Sequence, residues 1–473
     1  MNDSCLAEFT GELDLVRETT PGVPVTTNFM GFFKPLDYFQ WAAAEDVCST
    51  DGYPDPAGPA GPMLTAMHYD LVRSVKQDTP WTLTEQATSR VSWRPVNSAK
   101  APGEMRRGSY QALARGAAGI LFFQWRAARA GPEKFHSAML LHAGTASPVW
   151  PEVTRLGAEL QTLPMLNATQ VASDVTIAFS WPSWWATELG SRPSAGVRMR
   201  EQLRWLYRPV SEAGATAGFV QPGAELSGYL LVLVPSLYLL TEAEAGGLGS
   251  FVRSGGTAVI TFWSGIVNEP DQIYPGSYGG PLRELFGGWC PTWPRCSPRR
   301  RWSWPGRTGS GTATLWQDII EPGEGQVRAR FAAGPWAGRP AGLGYRYGAG
   351  RVIYLGTRPD GPAMRELIGA QLGRPAAVPG WSGWSARPAR CATSSCSTTP
   401  GTRSGGRPRR AARTCSPGRP SAGSWTCRRR AWPSSAAQAS RAAPRAACRR
   451  PGSRARCTRP SRARPRKRHC CRW

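Results

Sequence analysis

The chain has 473 residues, enough for two or three domains with sizeable cores, and its 58 Lys and Arg against 32 Asp and Glu give a formal charge of +26. That average suggests a nucleic-acid binder, yet residues 381–473 hold 24 of the basic side chains and no Asp or Glu, leaving 34 basic against 32 acidic side chains before them. The basicity belongs to the tail, and the body of the chain carries no polycationic signature. No run of about twenty apolar residues suggests a membrane span. Met1-Asn2-Asp3-Ser4-Cys5 lacks the basic start and apolar core of a secretory signal, so a cytoplasmic location is expected.

Leu6, Phe9, Leu13 and Val16 have helical spacing and predict a short helix from Leu6 to Arg17. A strand is expected over 23–31, a brief helix over Phe39 to Ala44, a second strand over 45–49 and a loop Asp51-Gly52-Tyr53-Pro54-Asp55-Pro56. Met63 to Val75 reads as the next helix, with His68 on it as a packing or surface histidine. The run Pro80-Trp81-Thr82-Leu83-Thr84-Glu85-Gln86 reads as a buried strand whose apolar part stops at Glu85. A polar aromatic loop, Arg90 to Asn97, leads to a helix that Pro102 opens and Gly116 closes. The segment 119–125 is a fourth, continuously apolar strand, after which Arg126 to His136 form a charged loop. A helix from Val149 to Leu163 ends this region.

Continuous apolar strands alternating with amphipathic helices imply parallel strands covered on both faces, with reactive groups at their carboxyl ends. Glu85 has that position, although a lone Glu after a strand is more often a solvated loop residue. Alternation continues with strands at Val175 to Ser180, Tyr229 to Pro235 and Thr257 to Phe262 and helices at Arg198 to Ala213 and Glu242 to Arg253, the pattern of a doubly wound α/β domain. Gly246-Gly247-Leu248-Gly249 falls inside a helix pattern rather than after a strand, which weakens a nucleotide-binding reading. The interval 287–309 breaks the pattern and reads as a loop or as locally corrupted sequence. Thr312 to Asp360 alternates like a small β domain, and Arg365 to Leu372 reads as a terminal helix.

From Trp381 onward there is no Leu, Ile, Val, Met, Phe or Tyr, so the segment cannot bury enough apolar area to order itself. Its eight cysteines show no Cys-x-x-Cys spacing, and neither a zinc nor a disulfide module is expected. Its vocabulary reads as GC-rich coding sequence in a shifted frame; an electrostatic nucleic-acid-binding tail is the weaker alternative.

Leu83-Thr84-Glu85-Gln86, Trp93-Arg94-Pro95-Val96-Asn97, Pro102-Gly103-Glu104-Met105, Phe122-Phe123-Gln124-Trp125-Arg126 and Glu133-Lys134-Phe135-His136 occur in this order. Together they resemble glycoside hydrolase family 42, the β-galactosidases. The resemblance implies that Glu85 is the nucleophile, Tyr53 a tyrosine near it, Trp93 the aromatic platform beside the sugar, Phe123 a pocket wall, and Glu133 and His136 the groups that hold galactose hydroxyls. Read without the family, Trp93 and Phe123 can equally be packing residues, a tyrosine before proline in a turn such as Tyr53 is more often structural, and Glu133 with His136 is more often a surface pair.

An α/β fold in four parts is expected: the resemblance implies residues 1–165 as the C-terminal half (strands five to eight) of a (β/α)8 TIM barrel and residues 170–289 as a doubly wound, flavodoxin-like domain of the kind that mediates trimers, while pattern and composition give residues 310–375 as a small β region and residues 381–473 as a disordered tail. A barrel of this class needs eight strands. The family's general acid/base, a Glu following an Asn at the end of strand four, has no counterpart here, since Asn268-Glu269 is the only Asn-Glu pair and lies in the later domain. The expected substrate is a β-galactoside, with no cofactor, no metal site and an impaired activity; the alternative is an inactive relative that only associates. Trp184 and Trp185 either reach a neighbouring subunit's active site or are buried in their own domain.

Overall fold

The computed structural model describes residues 1–58, 60–77, 79–164, 169–292, 300–303, 310–373 and 386–388. Met1–Ser394 forms one compact unit. The tail expected to be disordered lies outside the described residues, except for Ala386–Pro388.

The chain starts with helix α1 (Asn2–Thr19), strand β1 (Asn28–Phe29), α2 (Tyr38–Ala44), β2 (Ser49–Gly52), α3 (Gly61–Val75), β3 (Trp81–Gln86), α4 (Glu104–Ala114), β4 (Ala117–Ile120) and α5 (Val149–Gln161). The four strands form a sheet in chain order, every pair parallel. Local chemistry sets the boundaries. Asp37 caps α2 by accepting the Phe39 N–H at 3.1 Å, Gly103 at φ 84° precedes α4, and Gly116 at φ 90° follows it. The strand expected over 45–49 begins only at Ser49, because Glu45 is the last cap of α2 and Asp46 is held by Arg17 at 2.5 Å and by the Val25 N–H. β1 and β4 are shorter than the spans 23–31 and 119–125. Each pairs on one side only, and Met30 and Leu121 just beyond them are 56% and 50% exposed.

After β5 (Thr169–Val171) come β6 (Val175–Ala178), α6 (Trp181–Thr187), α7 (Met199–Glu212), β7 (Ala217–Val220), β8 (Leu231–Val234), α8 (Glu242–Arg253), β9 (Thr257–Thr261) and the short α9 (Arg283–Phe286). Then follow β10 (Arg300–Ser303), β11 (Ser310–Gln317), β12 (Gln326–Phe331), β13 (Pro340–Tyr347), β14 (Gly350–Leu355), β15 (Thr357–Pro359), α10 (Gly361–Gln371) and β16 (Ala386–Pro388), which pairs antiparallel with β5. The others form one mixed sheet in the order β15-β11-β10-β12-β13-β14-β9-β8-β6-β7. Its β7-β6-β8-β9-β14 part is parallel and has the 2-1-3-4-5 order of a doubly wound sheet.

Two elements had no periodic signal. β7 is a four-residue, fully buried Ala-Gly-Phe-Val run, and α6 is an aromatic cluster whose helix is set by the Ser180 cap on the Ser183 N–H and by Pro182 in its first turn. α8 matches its expected span because a reciprocal capping box between Thr241 and Glu244 fixes its start.

Packing crosses the boundaries read from the sequence. β14 runs parallel to β9 from Thr257↔Arg351 to Thr261↔Leu355, so the β-rich segment shares a sheet with the α/β segment. One hydrophobic cluster contains Leu71, Trp81 and Leu83 from the first sheet's region together with Ile177, Leu203 and Phe219 from the second. Between them Asp70, fully buried on α3, meets Arg115, Arg73 at 3.1 Å and the Tyr207 hydroxyl, which donates to it at 2.6 Å. Arg73 also donates to the Ala217 carbonyl at 3.0 Å, tying α3 to the edge strand β7.

Candidate active site

The carboxyl ends of β1, β2, β3 and β4 gather the residues singled out by sequence. Glu85 lies half-buried on β3, opposite Asp51 of β2 in the parallel ladder. Just past β2, the Tyr53 hydroxyl donates to Glu85 Oε2 at 2.6 Å. The strand leading to Tyr53 must be glycine at position 52, since a Cβ there would lie 2.4 Å from the Tyr69 hydroxyl oxygen and 2.9 Å from Leu83 Cδ1.

The loop after β3 is stitched to the loop after β4. Thr88 Oγ1 donates to the Ala138 carbonyl at 2.9 Å, the Ser137 N–H donates to the Arg90 carbonyl at 3.0 Å, and Arg90 Nε donates to the Phe135 carbonyl at 3.2 Å. Arg94 donates to the Tyr53 carbonyl at 2.6 Å, which anchors the Trp93 loop to the Tyr53 loop. These ties assemble a box of rings. His136 stacks on Trp93 at 5.3 Å and meets Phe123 edge-on at 5.1 Å, while Tyr53 meets Trp93 edge-on at 4.9 Å. Trp93 keeps 56% of its surface exposed, which leaves ring area for a ligand.

His136 is 1% exposed, and its Nδ1 lies 2.8 Å from the Ser137 carbonyl oxygen. A neutral ring that donates its Nδ1–H to that carbonyl keeps a lone pair on Nε2. This Nε2 is buried without a hydrogen-bond partner, as is Gln124 Nε2. Glu133 sits at the rim with an exposed side chain, near enough for its charge to act on the Tyr53 hydroxyl. Burial, and then the Glu85 carboxylate that accepts its proton, push the Tyr53 hydroxyl well above its ordinary value. Tyr53, Glu85, Trp93, Phe123 and His136 are thus brought together directly, and Glu133 borders them.

Two residues at this site had no signal in the sequence. Asp51 is pushed up to about 6 by burial and by the Glu85 charge, against bonds to its carboxyl from the Asn28 amide and, at 3.3 Å, the Thr84 hydroxyl. Asn28 begins β1, and only strand pairing places it beside Asp51. His68 is a packing histidine: its Nε2 is 2.8 Å from Thr50 Oγ1 under β2, and burial pushes the ring down to about 4. Trp184 is buried and Trp185 half-buried in their own chain, where the Trp185 indole donates to the Lys34 carbonyl at 2.6 Å. Among the described residues no group of three or more His, Cys, Asp or Glu is arranged to hold a metal ion. No described helix is long and apolar enough to cross a membrane.

The family model for β-galactosidase matches residues 1–163, and that for the β-galactosidase trimerisation domain matches residues 173–379. A β-galactosidase of Geobacillus kaustophilus is 42% identical over 372 residues, covering 78% of this chain and 55% of the relative. One from Arthrobacter is 37% identical over 356 residues, covering 75% and 51%. The solved β-galactosidase from Bacillus circulans sp. alkalophilus superposes with a TM-score of 0.76 at 34% identity, covering 79% of this chain and 57% of that one. The chain therefore spans about half the length of the curated relatives it matches. Two matching models of one family along most of the sequence, with relatives at this identity and shared fold, place the chain in glycoside hydrolase family 42, the family of the β-galactosidases.

Proposed function

We propose that this chain carries the nucleophile side of a retaining β-galactoside hydrolase site, with Glu85 as the attacking carboxylate. The observation that carries this reading is the Tyr53–Glu85 hydrogen bond at the floor of an aromatic box that also holds an unpartnered imidazole nitrogen. In this reading the four parallel strands are strands five to eight of a (β/α)8 barrel, with β3 the seventh. The parallel part of the large sheet is a flavodoxin-like domain, and the antiparallel strands beside it are its β-rich extension.

Each residue then has a task. Tyr53 orients Glu85 so that Oε1 faces the anomeric carbon. Trp93 offers its ring to the apolar C–H face of the sugar, and Phe123 walls the pocket. His136 Nε2 accepts one sugar hydroxyl and Glu133 another. Retention needs a second carboxyl about 5–5.5 Å from the first, across the sugar, to protonate the leaving oxygen and later to activate water. Asp51 does not fill that role, because it stands beside Glu85 in the same parallel ladder, on the same side of the substrate, with its carboxyl engaged by Asn28 and Thr84. Glu269 is exposed in the loop after β9, in the region of the other sheet. With no carboxyl assigned to acid/base work, the chain by itself hydrolyses unactivated galactosides poorly. Trimer formation through the region matched by the trimerisation model belongs to the same proposal.

An aryl β-galactoside with a good leaving group tests this, because its departure needs little acid assistance and azide replaces base-activated water. The expected result is azide-dependent turnover with slow lactose hydrolysis. A folded chain inert with the aryl galactoside in azide overturns the nucleophile assignment in favour of a relative that only associates. Brisk lactose turnover overturns the impaired state.

A further inference from the structure

Asp51 is the one carboxyl that shares a ladder position with Glu85. Its Cα is the register partner of the Glu85 Cα, one step past an irregularity in the β2–β3 pairing that follows Thr50↔Leu83. Both carboxyl oxygens of Asp51 are engaged. The Asn28 amide, from the first residue of β1, donates to Oδ2, and the Thr84 hydroxyl, one residue before Glu85, lies 3.3 Å from Oδ1. The Thr84 hydroxyl is also 3.1 Å from the Thr50 carbonyl. Three strands thus converge on a side chain that forms no ion pair among the described residues.

We propose that Asp51 is a positioning residue for Glu85: held opposite it by Asn28, it places a second negative charge behind the nucleophile, and attack on the sugar relieves the repulsion between the two. This rests on the reading of Glu85 as nucleophile. In the glycosylation step a Glu85 oxygen forms a bond to the anomeric carbon, and the bond to the leaving group breaks. Its electron pair departs with that group, and the carboxylate becomes a neutral ester. A charged Asp51 raises the energy of the free pair more than that of the transition state, where the Glu85 charge is being lost and positive charge builds on the sugar.

The charge on Asp51 depends on pH. Its carboxyl is pushed up to about 6, by burial and by Glu85, against the Asn28 and Thr84 bonds. The groups around it are Asn28 from β1, Tyr38 from α2, Glu85 and Thr84 from β3 and, through its bond to Glu85, Tyr53. Tyr38 and Tyr53 are both pushed above their ordinary range and stay neutral through this window. His68, bonded to Thr50 from α3 and pushed down to about 4, is likewise uncharged there. Unlike Tyr38, Tyr53 and His68 around it, Asp51 is pushed into the window near pH 6.

The test is kcat/KM for 2,4-dinitrophenyl β-galactoside in azide from pH 5 to 7.5, a ratio that reports glycosylation. The wild-type chain is expected to speed up roughly three- to tenfold with a midpoint near 6, which corresponds to up to one pK unit of coupling. Asp51→Asn flattens the profile. Asn28→Ala removes a bond that favours the charged form and moves the midpoint to higher pH. A side chain with a merely structural role would lower the rate equally at every pH. A flat wild-type profile, a step retained in Asp51→Asn, or an unmoved midpoint in Asn28→Ala each overturns the inference, and the last decides if Asp51→Asn does not fold. Absence of azide-dependent release at any pH overturns the nucleophile reading instead.

Discussion

In the ten-stranded sheet the parallel strands β6, β7 and β8 are buried at every residue, while in the four-stranded sheet no strand is. At the carboxyl ends of β8 and β9, Ser236, Thr261 and Ser264 satisfy much of one another's hydrogen bonding: the Ser236 N–H donates to Thr261 Oγ1 at 2.8 Å, and Ser264 Oγ donates to the Thr261 carbonyl at 2.8 Å. At the carboxyl ends of β3 and β4 the polar groups instead face an open box of rings. Similar strand chemistry thus serves two ends. Where polar groups at a strand terminus close on each other the sheet is scaffold, and where they are held apart by loop ties it can address a ligand.

That contrast is most sharply broken at the two glutamates that could be confused. Glu85→Gln is expected to cut azide-dependent turnover by at least about 10³-fold, while Glu269→Gln on the other sheet leaves it within about twofold. Comparable losses from both variants would erase the distinction.

Next in size is the joint between the regions. Asp70→Asn leaves Arg115 without its buried counter-charge and is expected to cost on the order of 3–5 kcal/mol in urea unfolding, against about 1 kcal/mol for Tyr207→Phe. One cooperative transition should persist in Tyr207→Phe, because both regions share the same hydrophobic cluster.

Each region also holds a buried acid that answers to pH in its own window. Burial pushes Glu45 up to about 8, against bonds from the Thr27 N–H and the Thr26 hydroxyl and the charge of Lys76. Burial pushes Asp318 up to about 6, against bonds from Tyr354 and Trp316. A carboxyl whose folded value is raised contributes stability that is fully present below its ordinary value and lost as pH rises through the folded one. The advantage of wild type over Asp318→Asn should therefore shrink between pH 4 and about 6 and then level off. Its advantage over Glu45→Gln should keep shrinking to about 8. The changes are on the order of 3 kcal/mol for Asp318 and roughly 4–5 kcal/mol for Glu45, read from thermal unfolding across pH. Coincident windows would contradict the assignment.

The smallest effect falls on the sugar platform. Trp93→Ala is expected to raise KM about tenfold with kcat within about twofold, since an exposed ring contributes binding shared by ground and transition states.

What could be read in the sequence follows the same physics. Runs such as Leu231–Val234 and the capping box at Thr241 announce themselves because burial and capping are local. The ordered motifs around Glu85, Trp93, Phe123 and His136 carried the family. Asp51 and Asn28 stayed silent, since only parallel pairing of β1, β2 and β3 puts them beside Glu85. The union of β14 with β9 was equally hidden: alternation marks a strand but does not name its neighbour.

The most direct measurement is peptide mapping after reaction of the chain with an activated 2-deoxy-2-fluoro galactoside, which slows breakdown of the sugar ester. The account predicts one adduct, on the peptide that contains Glu85. An adduct on Asp51, Glu133 or Glu269, or a folded chain left unlabelled, would contradict it.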